Sequence, residues 1–237
     1  MPIFDMLAFD ADDTLWQNER LYLQTQARLA ELLAGYGVSQ ETLQESLFQT
    51  ESRNIQVFGY GIKSFTLSMI ETGIRLSGGR LAGPDVLAIL ELARAQLAAP
   101  VELLPHVRRA VTRLAGGHRM MVITKGDPLD QESKLARSGL AEFFEAIEVV
   151  SDKTPQSYAQ LFKNHRLAPG GVLMVGNSLR SDVLPVLELG GYAVYVPRPD
   201  TWQHEAADAP APGTQRYYPL EHLGRLPGLL AQLESSA

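Results

Sequence analysis

Met6-Leu7-Ala8-Phe9-Asp10-Ala11-Asp12-Asp13-Thr14 begins as an apolar run and ends in three acids and a threonine. Met6 to Phe9 has the length and unbroken apolar character of a buried strand, and the carboxylates come where that strand should stop. Asp10 and Asp12 lie two residues apart, so an extended backbone sends both to the same side. Carboxylates this close repel each other unless a cation sits between them. Hard cations such as Mg2+ suit an oxygen site of this kind. The pattern therefore reads as a nucleophile, Asp10, beside an acid/base, Asp12, with Mg2+ as cofactor. The bland alternative is a turn with a helix N-cap, since Asp serves in both.

The chain has 237 residues and is 45% hydrophobic, enough for one large domain or two small ones around a proper core. Its formal net charge of −6 argues against nucleic acid as a partner, because no large cationic surface is available to meet phosphates. The absence of cysteine excludes disulfides and thiolate metal centres and fits a reducing compartment. His106, His118, His165, His204 and His222 show no close metal-ligand spacing, which speaks against a zinc enzyme. With no basic-then-apolar leader and no apolar run long enough for a bilayer, the expectation is a soluble cytoplasmic protein without a membrane partner.

Outward from the first strand, residues 16–100 read as a helical insertion. Tyr22, Leu29, Leu32, Leu33 and Tyr36 recur near helical period. Ser39 is placed to cap the next helix. Val57-Phe58-Gly59-Tyr60-Gly61 breaks the pattern, and Phe65, Met69, Ile70 and Ile74 resume it. Pro84 sits at a first helical position. Val86, Ile89, Leu90, Ala93 and Leu97 then form the clearest amphipathic stripe. From Pro100 the chain alternates. Pro105 opens a helix, and strands are expected at Met120–Ile123, Ile147–Val150, Val172–Val175 and Tyr192–Val196, with helices between them. Glu205 to Gly213 reads as a surface loop, and Leu226, Leu229, Leu230 and Leu233 mark a last helix. Short apolar strands alternating with helices predict a Rossmann-like, doubly wound parallel sheet of α/β class, residues 1–15 and 101–237, carrying an inserted helical cap at 16–100.

Open parallel sheets bind ligands at the carboxyl ends of their strands. The first strand ends in Asp10 and Asp12, the second in Thr124-Lys125-Gly126, the third in Ser151-Asp152-Lys153. The fourth ends in Gly176-Asn177-Ser178, with Asp182 beyond. These are the parts a phosphoryl-transfer site needs. A carboxylate attacks phosphorus, and a second acid protonates the leaving oxygen and then activates water. The Thr124 hydroxyl and the Lys125 amide, freed by a turn at Gly126, meet the equatorial oxygens. Lys153 holds Asp10 and the phosphoryl group together by charge. Each also has an ordinary structural explanation. Thr124 can end a strand and Lys153 can be solvated. Ser178 can be an N-cap, and Asp182 can meet a helix dipole.

Asp-x-Asp-x-Thr, then Thr, Lys and Gly-Asn-Ser-x-x-x-Asp, each after successive strands, resembles the haloacid dehalogenase-like hydrolase superfamily. The helical insertion resembles that family's cap. The resemblance implies Asp10 as nucleophile, Asp12 as acid/base, Thr124 as phosphate ligand and Lys153 as charge stabiliser. It also implies Mg2+ held by Asp10, the Asp12 carbonyl, Asn177 and Asp182. Family members commonly carry Asp where this chain has Asn177, so weaker Mg2+ binding is expected. Within the family, dehalogenases generally lack the second acid, which favours a phosphatase acting on a small phosphorylated metabolite such as a nucleotide or sugar phosphate. A 2-haloacid dehalogenase, a phosphomutase or a non-catalytic binding protein stand as alternatives. Substrate choice is expected in the cap. Phe58 and Tyr60 are candidates there, Lys63 is more simply a solvated lysine, and Trp16 is more simply a packing residue.

Overall fold

The computed structural model describes residues 3–199 and 202–235. Among them, six strands form one parallel sheet: β1 (Met6–Phe9), β2 (Met120–Lys125), β3 (Ala146–Val150), β4 (Val172–Gly176), β5 (Tyr192–Tyr195) and β6 (Tyr217–Pro219). Their order is β3-β2-β1-β4-β5-β6. β1 is central, with Phe9 level with Val122 of β2 on one side and with Val175 of β4 on the other. The strand order reverses there, which makes the carboxyl end of β1 the natural ligand crevice of such a sheet.

β1 is buried along its whole length because both faces are covered. Leu7 and Phe9 enter one hydrophobic layer with Val107, Val111, Val122, Val175, Leu226 and Leu230. Met6 and Ala8 enter the other with Met121, Ile123, Tyr158, Phe162 and Met174. This is strand alternation with two apolar faces, and it explains why no polar residue interrupts the run. Each fully buried side chain of this size contributes about 1.5–3 kcal/mol. Phe9 also meets Phe144 edge to face, with ring centroids 5.7 Å apart.

The helices are α1 (Glu19–Ala34), α2 (Gln40–Phe58), α3 (Ile62–Leu76), α4 (Gly83–Ala98), α5 (Val107–Ala115), α6 (Pro128–Ser138), α7 (Pro155–Asn164), α8 (Leu184–Glu188) and α9 (Leu226–Ser235). The chain divides into two compact units. One comprises Met1–Glu19, Val101–Lys125 and Gln131–Ala237; the other comprises Arg20–Pro100 with Gly126–Asp130. The helical unit packs Leu29, Leu33, Leu43, Leu47, Phe65, Met69 and Ile89 into its own core. Ser39 caps α2 by accepting from the Thr42 amide. No helix among the described residues is long and apolar enough to cross a membrane.

Four local expectations are corrected. A sixth strand exists: Tyr217–Pro219 is too short, and closes on a proline too soon, to show alternation. Helix α5 starts at Val107, two residues beyond Pro105, because His106 takes φ 69°. Of the stripe on α4 only Ile89 and Ala93 are buried, and Leu97 is exposed. The stretch from Glu205 to Gly213 is not wholly a surface loop, since the Glu205 side chain is only 11% exposed.

Candidate active site

Asp10 follows β1 directly, and its amide donates to the Val175 carbonyl at 2.9 Å, extending the pairing with β4 by one residue. Its carboxylate is tied at both oxygens. Lys153 Nζ donates to Oδ1 at 2.5 Å, and the Thr14 hydroxyl donates to Oδ2 at 2.9 Å. Lys153 also donates to Asp182 Oδ1 at 2.7 Å, so one buried ammonium bridges two buried carboxylates. Burial alone would lower the Lys153 pKa. The two carboxylates outweigh it and hold the group well above its usual value. Burial, and then the Asp10 charge, push Asp182 up to about 7, while Lys153 pulls it down.

Asp12 points to a different set of donors. Trp16 Nε1 reaches Oδ1 at 2.7 Å, Gln131 Nε2 reaches Oδ2 at 2.8 Å, and Lys134 Nζ reaches both oxygens at 2.9 and 3.0 Å. Trp16 is fully buried in the sheet core, so its indole packs and orients at once. Asp13 takes φ 60° and turns its carboxylate to the Asn18 and Glu19 amides at 3.0 and 2.9 Å, where α1 begins. Burial pushes Asp13 up to about 6. The third acid of the motif is thus a helix cap.

Asn177 stands beyond β4. With its nitrogen turned inward the amide tip donates to the Asp12 carbonyl at 3.2 Å, Asp10 Oδ2 at 3.1 Å and Thr14 Oγ1 at 3.0 Å. With its oxygen inward it accepts from Thr14 at 3.0 Å. One carboxylate oxygen and one backbone carbonyl therefore converge on an amide that can offer them either a proton or a third oxygen. That donor set fits a hard cation: with Mg2+ present, the amide oxygen is the end that belongs inward. Among the described residues no three His, Asp or Glu side chains converge to hold a metal. Asp182 sits behind this cluster, with both oxygens engaged, Oδ1 by Lys153 and Oδ2 by the Ser178 amide at 3.0 Å. Gly176 precedes Asn177 because a Cβ there would collide with the Asp182 side chain.

Thr124 is the last residue but one of β2 and is buried, and its hydroxyl donates to the Lys125 carbonyl at 3.3 Å. Gly126 follows with φ 132°, a conformation that favours glycine. Lys125 turns its ammonium to Ser181 Oγ at 2.9 Å and Glu205 Oε1 at 2.5 Å. In the helical unit, Phe58 is 56% exposed at the end of α2 and Tyr60 is half-buried. Lys63 is exposed and pairs with Asp127 at 2.7 Å.

The site thus brings together Asp10, Thr14, Lys153, Asn177 and Asp182 in one hydrogen-bonded cluster, with Asp12 joined through its carbonyl. Sequence reasoning missed Gln131, Lys134, Ser181 and Glu205. Gln131 and Lys134 are three apart on α6, so they share a helix face. That spacing is the one signal the sequence carried for them.

The haloacid dehalogenase-like hydrolase family model matches residues 4–190. A haloacid dehalogenase-like family hydrolase from Xanthomonas campestris is 39% identical, with TM-score 0.87, over 99% of this chain and 94% of that one. A 2-haloacid dehalogenase from Pseudomonas syringae pv. tomato DC3000 shares the fold at 19% identity and TM-score 0.65, over 97% of this chain and 99% of that one. The glyceraldehyde 3-phosphate phosphatase of Pyrococcus furiosus is 30% identical over 97 residues, 38% of this chain. The match spans 40% of that relative's length.

Proposed function

The chain belongs to the haloacid dehalogenase-like hydrolases, and on that premise we propose that it is a Mg2+-dependent phosphomonoesterase working on a small phosphorylated metabolite. The observation that carries this is Asp12. It supplies a second carboxylate two residues after Asp10, and its backbone carbonyl meets the same Asn177 amide as Asp10 does. A phosphate ester needs an acid to protonate the departing oxygen, whereas a halide leaves without a proton. The phosphatase relative adds support.

In the proposed mechanism Asp10 attacks phosphorus and forms an aspartyl-phosphate, splitting one hydrolysis into two easier steps. Asp12 gives a proton to the leaving alkoxide, then takes one from the water that cleaves the aspartyl-phosphate. Lys153 offsets the charge that Asp10 and the phosphoryl oxygens bring together. The Thr124 hydroxyl, the Lys125 amide and the turn at Gly126 receive the equatorial oxygens. Asp10, the Asp12 carbonyl and Asn177 would hold Mg2+, with Asp182 behind them. When bound, the ion neutralises phosphoryl charge and orients the ester. The absence of cysteine supports a cytoplasmic setting.

The test is phosphate release from a panel of phosphomonoesters, with and without Mg2+. Asp10→Asn keeps the shape of the side chain but removes the nucleophile. Release should be Mg2+-dependent and fall at least about a thousandfold in Asp10→Asn. Folded wild-type protein that is silent across the panel, or unaffected by the substitution, overturns the phosphatase assignment.

A further inference from the structure

Glu205 lies on the segment after β5, a place from which a survey of strand ends expects nothing. Its carboxylate meets donors from two other strand ends. Lys125, the last residue of β2, approaches Oε1 at 2.5 Å, and the hydroxyls of Ser178 and Ser181, after β4, both bond to Oε2. Lys125 closes the ring by donating to Ser181 Oγ at 2.9 Å. The ring is nearly dry, with the Lys125 side chain 12% exposed and that of Glu205 11%. Burial alone would raise the Glu205 carboxyl. The Lys125 charge and the two hydroxyls hold it below the usual carboxylate range. Arg180 anchors the incoming segment by donating to the His204 carbonyl at 2.7 Å.

Each partner of this ring adjoins a group of the site. Lys125 follows Thr124 and supplies the amide assigned to the phosphoryl oxygens. Ser178 follows Asn177, and its amide holds Asp182 Oδ2. Ser178 Oγ also accepts from the Ser181 amide at 2.9 Å, which shapes the wide helical turn over Leu179–Val183. Removing the Glu205 charge leaves a nearly buried ammonium without its nearest carboxylate, the next being Asp152 at 3.8 Å. It also leaves two hydroxyls to find another acceptor.

We propose that Glu205 is a positioning residue, which by tying Lys125 to Ser178 and Ser181 holds the phosphate-contacting turn after β2 and the Asn177 turn after β4 in one fixed relation. The assignment rests on the phosphatase function proposed above. Glu205 touches neither substrate nor metal; it acts through Lys125 and Ser178.

The experiment compares wild type with Glu205→Gln, Lys125→Met and the double variant. It reads kcat and KM on an aryl phosphate at saturating Mg2+, melting temperature, and calorimetric binding of Mg2+ alone. Glu205→Gln should lower kcat about 10- to 100-fold and weaken Mg2+ binding about tenfold, as loss of a residue orienting a site from behind usually does. KM should change less than kcat, and melting should remain cooperative. The double variant should be no worse than the poorer single variant, because both changes break one ring. Wild-type kcat and Mg2+ affinity in Glu205→Gln overturn the proposal, as do additive losses in the double variant. Failure of the wild type to hydrolyse any ester overturns the phosphatase function instead. In that event, equal Mg2+ affinities in wild type and Glu205→Gln still reject the positioning role.

Discussion

Asp10 and Asp12 are chemically identical side chains two residues apart, and their neighbours give them different work. Asp10 is held by one ammonium and one hydroxyl, and its Oδ2 faces the Asn177 amide. Asp12 accepts from an indole, an amide and an ammonium that uses both of its oxygens. Trp16 and Lys134 thereby fix the rotamer of Asp12 away from the Lys153 cluster. Lys134 is itself buried and donates further to Asn18 at 3.1 Å. Replacing it by methionine keeps the stem and deletes the charge. On the proposed mechanism Lys134→Met should lower kcat about 10- to 100-fold. It should also cost about 2 kcal/mol of stability, as loss of a hydrogen bond to a charged group does. Steady-state kinetics and a melting curve check both, and an unchanged kcat would remove Lys134 from any role in placing Asp12.

The α2–α3 pair of the helical unit carries an unusual polar seam. Thr50, Glu51 and Asn54 on α2 are buried, as are Ser64, Ser68 and Thr72 on α3. Asn54 crosses between the helices to Ser68 at 3.1 Å and Glu71 at 3.2 Å. Glu51 is 7% exposed, and burial pushes its carboxyl up from 4.5 to about 7. The sign follows from linkage. The folded protein binds the proton more tightly than the unfolded chain, so this stability is fully present below about pH 4.5 and is lost as pH rises through 7. Glu51→Gln, which stays neutral, should gain up to about 3 kcal/mol over wild type at pH 8 and almost nothing at pH 4. Paired melting curves at the two pH values decide it; equal differences at both would show that burial does not shift Glu51 in the fold.

For the molecule as a whole, the way the helical insertion leaves the sheet unit has a physical consequence. Leu104 donates to the Leu15 carbonyl at 3.0 Å, Gln17 donates to the Glu102 carbonyl at 2.9 Å, and Trp16 bridges Leu103 antiparallel. The outgoing and returning chains are therefore bonded side by side within the sheet unit, and a short linker can join them. The sheet unit also has its own two hydrophobic layers. Replacing residues 20–100 by a short Gly/Ser linker should leave a protein with α/β circular dichroism and a single cooperative melt. A non-cooperative product would show that the sheet unit needs the insertion to fold.

The strand ends were legible because their chemistry is local. Apolar runs stop at Asp10, Thr124, Lys125, Lys153 and Asn177, and a parallel sheet must bring such stops to one edge. The fold class followed from the same alternation of short apolar runs with helical stretches. Which acid does what was not local. Asp13 was set apart from Asp12 only when its carboxylate met the start of α1. Gln131 and Lys134 became partners of Asp12 across more than a hundred residues. Glu205, read in sequence as the start of a surface loop, became the tie between two strand ends. Periodicity and strand stops are properties of a segment and its solvent exposure, so the chain carries them openly. Pairing between charges far apart in sequence depends on how β1, β2, β4 and the segment after β5 are brought together. That arrangement exists only once the sheet has formed.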